Sequence, residues 1–129
     1  FGLWDPDSRL LRYACAGAPP AALIPPEGPL RRLRTDGPAV GVDEGVPYEC
    51  AETEIPRNSI LYLFSDGIYE VRRSDEGILG LDRFLDILAE ASRGAGETGV
   101  EGVVLAVKAA CGRTQFEDDV SLAGFYFDA

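Results

Sequence analysis

The most continuous apolar pattern in the chain is the run at residues 60–64, which is rich in aromatic and branched side chains. A surface strand alternates apolar and polar positions, whereas a strand buried on both faces is apolar throughout. The run therefore predicts a central buried strand. A second apolar run, residues 122–127, predicts another buried strand near the end of the sequence.

Short apolar segments separated by Pro- and Gly-containing turns fill the first part of the chain. They predict a hairpin of residues 1–4 and 10–16 with a Pro-Asp turn. Extended segments are expected at 21–24 and 29–34, a connecting loop at 37–45, and a half-exposed strand at 48–55. The chain thus opens as a largely antiparallel β structure.

After Glu70 the period of the apolar positions becomes helical. An amphipathic helix is predicted over 81–92 from four residues at helical spacing: Leu81, Phe84, Leu85 and Leu88. A Thr98-x-x-Glu101 capping box predicts the start of a second helix, which Gly112 ends. Its apolar face comprises Val103, Val104, Val107 and Cys111. The order of strands, two helices and one last strand predicts an α+β fold with the helices covering one face of a largely antiparallel sheet.

Acidic residues adjoin both buried runs. Asp66, followed by Gly67, comes at the end of the 60–64 run, and Glu117, Asp118 and Asp119 precede the 122–127 run. If the two strands are antiparallel neighbours, which lie about 4.8 Å apart, Asp66 and Asp118 share one sheet edge. A divalent cation relieves the repulsion of two such carboxylates, and oxygen-only ligands favour magnesium or manganese over zinc. The alternative is an ordinary turn at the end of a strand, because Asp-Gly is a common turn pair.

Composition narrows the class of protein. A chain of 129 residues with 46% hydrophobic content is one globular domain or less, and its net charge of -10 argues against a nucleic-acid partner. No apolar run is long enough for membrane insertion. Three cysteines without close spacing favour reduced core residues of a cytoplasmic protein. The absence of histidine excludes Ser-His and Cys-His nucleophiles. A chain that starts at Phe1 and contains no methionine is expected to be a piece of a longer one.

A series of motifs resembles the bacterial metal-dependent serine/threonine phosphatases, in the sporulation stage II protein E-like branch of the type 2C (PPM) superfamily. The hairpin is followed by Ala-Gly-Ala-Pro-Pro at 16–20, similar to the family's Ala-Gly-His-Pro-Pro signature. Val40-Gly41, the Ser-Asp-Gly-x-x-Glu segment at 65–70, Gly-Ile-Leu-Gly at 77–80 and Asp-Asp-Val-Ser at 118–121 follow in family order. The resemblance spans nearly the whole chain.

The resemblance implies a layered α/β/β/α sandwich that hydrolyses phosphoserine or phosphothreonine on proteins. Two Mn²⁺ or Mg²⁺ ions polarise the phosphate and activate the water that attacks it. Asp66 and Asp118 match the family's catalytic metal ligands, Asp119 and Gly67 adjoin the site, and Glu70 supports the following turn. The typical substrate in this branch is a small phosphorylated anti-sigma-factor antagonist.

Two departures from the family pattern qualify this expectation. Ala18 stands where the family has His, and the family's first half, with a further acidic ligand and an Asp-Gly pair, has no counterpart in residues 1–129. The chain is therefore expected to be the C-terminal portion of a catalytic domain. Such a portion should neither hold two ions tightly nor be a self-sufficient monomer, because an apolar sheet face would need the missing half or a second copy to cover it.

Arginines close to the acidic turn are candidates for binding a substrate phosphate. Arg72 and Arg73 suit this role because guanidinium binds phosphate in bidentate fashion. The basic segment at 31–34 is expected to be a solvated face instead. The alternative function is a non-catalytic phosphatase-like module that retains the fold as a binding or regulatory domain; the retained Asp66 and Asp118 favour the enzyme.

Overall fold

The computed structural model of the chain describes residues 1–94 and 99–128, and these residues form seven strands and two α-helices. The strands are β1 (Gly2–Asp5), β2 (Leu10–Tyr13), β3 (Ala21–Ile24), β4 (Arg31–Leu33), β5 (Ala51–Glu54), β6 (Ser59–Phe64) and β7 (Leu122–Phe127). The helices are α1 (Leu81–Arg93) and α2 (Val100–Cys111), and a 3₁₀-helix, Asp66–Ile68, follows β6. Within the described residues no helix is long and apolar enough to cross a membrane.

The strands form two sheets, as the α/β/β/α sandwich implied by the resemblance requires, whereas the apolar pattern alone indicated only one sheet covered by helices. The first has the order β1-β2-β5, and the second has the order β4-β3-β6-β7. In the first sheet β2 pairs antiparallel with both neighbours, with Leu11 opposite Trp4 on one side and opposite Thr53 on the other. The hairpin of β1 and β2 is thus extended by β5 to a three-stranded sheet. The α+β class and the predicted order of elements are confirmed.

The contacts divide the chain into two compact units, the first of which contains Phe1–Leu61 and the last residues from Phe125. Its core joins both sheets, because Leu11 of β2 belongs to the same buried cluster as Leu23 of β3 and Leu61 of β6. At the edge of this cluster Trp4 lies edge-on to Phe127, with 4.8 Å between ring centroids. Packing of one apolar sheet face on another produces a β-sandwich, so the first sheet covers part of the face that was expected to need a missing half or a second copy.

The second unit, Tyr62–Gly124, contains both helices. Helix α1 packs on the second half of β6, where Phe84 lies edge-on to Phe64 with a centroid distance of 4.9 Å. The predicted helical faces are buried at Phe84, Leu85 and Leu88 in α1, and at Val103, Val107 and Cys111 in α2. Gly112 adopts a left-handed conformation, with φ 64°, and ends α2 as predicted. The predicted capping residue Thr98 lies outside the described residues.

Of the two apolar strands predicted to be buried, β6 is buried on both faces and β7 is not. Leu61 and Tyr62, adjacent in β6 and so on opposite faces, are both buried, which confirms a central strand covered on both sides. No residue of β7 is buried, and Phe125 and Tyr126 are exposed. The reason is position, because β7 is the outer strand of its sheet in the part of the chain that the structure describes.

The segment before β5 also differs from the prediction. A strand was expected over 48–55, but β5 begins only at Ala51. Tyr48 lies instead against Gly37, and Glu49 donates its backbone N–H to the carbonyl of Asp36 at 3.2 Å. These residues therefore pair with the preceding loop. Cys50, expected in the core, is exposed, whereas Cys111 is buried; both are free thiols.

Candidate active site

Two serines join the end of β6 to the beginning of β7. Ser65 donates its backbone N–H to the carbonyl of Ser121 at 3.0 Å, and Ser121 donates its N–H to Ser65 Oγ at 2.9 Å. At the other end of the strands Asn58 donates its N–H to the carbonyl of Phe127 at 2.7 Å. The strands are therefore antiparallel neighbours, which is the condition for the two acidic ends to share a sheet edge. Their acidic ends fall on one sheet edge.

The two acidic turns touch through a glycine. Gly67 is buried, and a Cβ atom at this position would lie 2.3 Å from the carbonyl oxygen of Asp119. Only a residue without a side chain allows this approach. The turn that bears Asp66 consequently packs directly against the backbone that bears Asp118 and Asp119.

Local hydrogen bonds fix both turns. Asp66 is the first residue of the 3₁₀-helix, and its carbonyl accepts the N–H groups of Tyr69 and Glu70, both at 3.0 Å. In the second turn Asp119 donates its N–H to Asp118 Oδ1 at 2.7 Å. The backbone N–H of Glu70 thus helps to close the turn that begins at Asp66, and the supporting role of the Glu70 side chain stays a prediction.

The donor chemistry suits a hard cation, but the ligand set is partial. The side chains of Asp66, Asp118 and Asp119 are all exposed, so their carboxylate oxygens are open to solvent and to ligands. Carboxylate and carbonyl oxygens are the donors that Mg²⁺ and Mn²⁺ prefer. Across residues 1–94 and 99–128 no three His, Cys, Asp or Glu side chains are grouped to hold a metal ion. These residues therefore fit Mn²⁺ or Mg²⁺ as part of a larger set of ligands.

Tyr69 lines the site, although the sequence motifs did not indicate it. Burial raises its pKa above the usual value, and the negative charges of Asp66 and Glu70 raise it further. Its ring lies 6.2 Å from that of Phe64 and 6.3 Å from that of Phe84, so it ties the acidic turn to strand β6 and helix α1. The sequence could have indicated Tyr69, because it lies three positions after Asp66 and residues i and i+3 of a 3₁₀ turn lie on the same side.

A cavity of about 560 Å³ opens beside Gly67 and Asp118. Its polar lining includes Glu70, Arg72 and Glu117, and its apolar lining includes Tyr69, Val71, Ile78 and Leu81. The structure separates the two candidate arginines. Arg72 lines the cavity, whereas Arg73 forms an ion pair with Asp75 and is not part of this lining.

A second arginine near the cavity, Arg113, was not singled out from the sequence. Arg113 Nη2 lies 3.8 Å from Glu117 Oε1, and Arg72 Nε lies 3.7 Å from Glu117 Oε2. Arg113 also donates from Nε to the backbone carbonyl of Arg72 at 3.3 Å. Both residues follow the end of α2 at Gly112, so no helical spacing links them, and no local pattern in the sequence indicates this contact.

The signature segment at 16–20 lies in the first unit. Gly17 has a φ of 73°, and a Cβ there would lie 2.7 Å from the Cβ of Ala39. The segment at 16–20 therefore packs on the loop that contains Val40 and Gly41. These are two of the motifs noted in the sequence, and the fold brings them into contact. Ala18, at the position of the family's His, is exposed.

Comparison with known proteins identifies a family and a fold. The family model described as stage II sporulation protein E (SpoIIE) matches residues 1–127. Among curated proteins, IcfG of Synechocystis is 28% identical over 88 residues, which is 68% of this chain and 14% of that protein.

Solved structures cover nearly the whole chain. The SiaA-PP2C domain of Pseudomonas aeruginosa is 23% identical with a TM-score of 0.72, over 94% of this chain and 48% of that one. The RsbU and RsbW domains of a Mycobacterium tuberculosis protein match with a TM-score of 0.72 and 20% identity, over 98% of this chain and 36% of that one.

The Bacillus subtilis SpoIIE phosphatase domain, in a structure with a fragment of its regulatory domain, matches with a TM-score of 0.74 and 15% identity. That match covers 98% of this chain and 37% of the other. A manganese-presoaked structure of the same phosphatase domain has a TM-score of 0.65 and 15% identity, over 99% of this chain and 55% of that one. The chain thus spans between 14% and 55% of the length of these relatives. It belongs to the SpoIIE family, and its fold is that of the PP2C phosphatase domains.

Proposed function

We propose that this chain is the C-terminal portion of a metal-dependent protein phosphatase domain that hydrolyses phosphoserine or phosphothreonine on a partner protein. The observation that carries the proposal is the close approach of Gly67 to the Asp119 carbonyl. A Cβ atom on residue 67 would lie only 2.3 Å from that carbonyl oxygen. This approach fixes two acidic turns side by side at one sheet edge.

Asp66 and Asp118 are the proposed metal ligands. When bound, two Mn²⁺ or Mg²⁺ ions supply charge neutralisation and activation of the attacking water. The chain contributes the carboxylate oxygens of these two residues. The backbone turns that bear them are held by the hydrogen bonds between Ser65 and Ser121 and by the contact at Gly67. A carboxylate on a fixed turn at the end of a core strand keeps its geometry, as a catalytic ligand must.

The remaining ligands of the site are proposed to come from the N-terminal portion of the domain. Two facts support this: the described residues contain no group of three ligating side chains, and the chain spans about half or less of most of the matched structures. Structural relatives have been soaked in manganese or bound to magnesium, which agrees with the oxygen donors of this edge.

The proposed substrate is a phosphorylated anti-sigma-factor antagonist or a protein of that kind, acted on in the cytoplasm. The support is the family itself and a structural relative that includes an RsbU and an RsbW domain. A second candidate function is a phosphatase-like binding module without activity. The incomplete ligand set of the described residues and the replacement of the family's His by Ala18 favour it.

Activity of the complete domain distinguishes the two candidates. Hydrolysis of a phosphoserine peptide should require Mn²⁺ or Mg²⁺, and Asp66→Asn or Asp118→Asn should lower the rate at least about a hundredfold while the fold stays intact. Asp86→Asn, which makes the same change at an exposed position of α1, is the matched control and should retain the wild-type rate. Near wild-type turnover of a folded Asp66→Asn protein would refute the assignment.

A further inference from the structure

Beside the proposed metal ligands, three charged side chains form a cluster that the proposed function does not yet use. Arg72 and Arg113 approach opposite oxygens of the Glu117 carboxylate, at 3.7 and 3.8 Å. We call Arg72, Arg113 and Glu117 the arginine clamp. Two guanidinium groups share one carboxylate, so the clamp itself has a net charge of +1, although the cavity beside it is also lined by the carboxylates of Glu70 and Asp118.

The contacts within the arginine clamp are weak enough to be exchanged. Charge-assisted hydrogen bonds between nitrogen and oxygen are about 2.7–2.9 Å long, so both pairs are roughly 1 Å too long for one. The side chains of Arg72, Glu117 and Arg113 are also 74%, 46% and 43% exposed. Ion pairs at such exposure contribute between about 0 and 1 kcal/mol. An anion with more charge than a carboxylate can therefore displace Glu117.

The position of the clamp indicates which anion that is. Arg72 and Glu117 line the same cavity of about 560 Å³ as Asp118 and Gly67. A group bound by Arg72 there lies in the same cavity as Asp118, one of the proposed metal ligands. Arg113 does not line the cavity, but its hydrogen bond to the Arg72 carbonyl, at 3.3 Å, supports the backbone from which Arg72 extends.

We propose that Arg72 binds the phosphoryl group of the substrate, with Glu117 as the internal anion that this group displaces and Arg113 as a positioning residue. The inference rests on the proposed function for the identity of the anion. It assigns Glu117 a role opposite to that of a ligand: the carboxylate competes with the substrate. It also chooses between the two arginines adjacent in sequence, because Arg73 is paired with Asp75.

Titration of the complete domain with inorganic phosphate, kept metal-free with EDTA and followed by NMR of the arginine Nε–H groups, tests this inference. Saturation should shift the Arg72 signal. Arg72→Ala should weaken phosphate binding about tenfold, which is the loss expected for one charged hydrogen-bonding group. Arg83→Ala removes an exposed arginine from helix α1 of the same unit and should leave the affinity unchanged.

The variant of Glu117 separates competition from a structural role. Glu117→Gln should strengthen phosphate binding about threefold to fivefold, because a negative charge about 4 Å from the guanidinium is removed at an exposed site. Arg113→Gln should weaken binding by a smaller factor than Arg72→Ala, and Arg113→Lys should restore part of the loss. Weaker binding in Glu117→Gln, or equal affinities of Arg72→Ala and Arg83→Ala, would overturn the proposal.

Because no metal is present, this test is independent of hydrolysis. If phosphate binding behaves as stated but Asp66→Asn retains activity, the metal assignment fails and the phosphate site stands. If Asp66→Asn abolishes activity but Arg72→Ala binds phosphate as the wild type does, the phosphate site fails and the metal assignment stands.

Discussion

Replacement of Gly67 by alanine tests the contact on which the site depends. The new Cβ would lie 2.3 Å from the Asp119 carbonyl oxygen and 3.3 Å from the carbonyl carbon, whereas Cβ contacts in real proteins essentially never fall below 3.0 Å. The atom it meets belongs to the backbone, which cannot rotate away as a side chain can. The two acidic turns must therefore move apart by an appreciable fraction of an ångström.

The sign of the effect on stability is diagnostic. Gly67 does not have a positive φ, so alanine fits its backbone conformation, and without a clash the substitution would stabilise the protein by about 0.4–1 kcal/mol. Overpacking of a tightly packed position costs about 1–3 kcal/mol. We expect a net loss of about 1–2 kcal/mol in the free energy of unfolding. Activity should fall about a hundredfold, because displacements near 1 Å have that effect on catalysis.

The assay is urea unfolding of Gly67→Ala and Gly77→Ala, with phosphatase rates measured on the same preparations. Gly77 belongs to the same unit, and a Cβ there would meet only Asp75 Oδ1 at an ordinary 3.6 Å. Gly77→Ala should remain within about 0.5 kcal/mol of the wild type. A Gly67→Ala protein that is as stable and as active as Gly77→Ala would show that the two acidic turns do not touch as described.

Three further predictions concern the surroundings of the site. Phe84→Ala should lower the free energy of unfolding by about 3–5 kcal/mol, because the ring is fully buried against Phe64; a loss below 1 kcal/mol in chemical unfolding would contradict this packing. The pKa of Tyr69 is raised in the folded state, so at high pH the folded protein keeps the phenol proton that the unfolded chain has lost. The free energy of unfolding of the metal-free protein should therefore fall as the pH rises above about 10, and this fall should be smaller in Tyr69→Phe. Light scattering should find the 129-residue chain self-associated, because Phe125 and Tyr126 are exposed on an outer strand, and a monodisperse monomer would contradict that expectation.

Local pattern was sufficient to predict most elements of the fold. The helical spacing of Phe84, Leu85 and Leu88 placed α1 to within one residue of its end, and Gly112 placed the end of α2. The antiparallel pairing of β6 and β7 was a hypothesis only, suggested by the acidic residues at complementary ends of the two apolar runs. These features depend on residues that are close together in sequence or on a simple alternation of polarity.

Features that depend on distant contacts were not predicted. An apolar run such as 122–127 has the same pattern whether its strand is central or at an edge, so the exposure of Phe125 could not be inferred. The division into two sheets was implied only by the family resemblance, because it depends on β5 pairing with β2, for which no local pattern exists. In the site, the close approach of Gly67 to Asp119 and the position of Arg113 depend on tertiary contacts over 52 and 41 residues of sequence.

Binding of manganese by the complete domain tests the central claim most directly. Free Mn²⁺ should be counted by its EPR signal as the wild type, Asp66→Asn, Asp118→Asn and Asp86→Asn proteins are titrated. Loss of one charged ligand from a hard-cation site should weaken Mn²⁺ binding at least about tenfold in the first two variants, whereas Asp86→Asn should bind as the wild type does. Wild-type manganese affinity in folded Asp66→Asn and Asp118→Asn proteins would contradict the assignment of this sheet edge as the metal site.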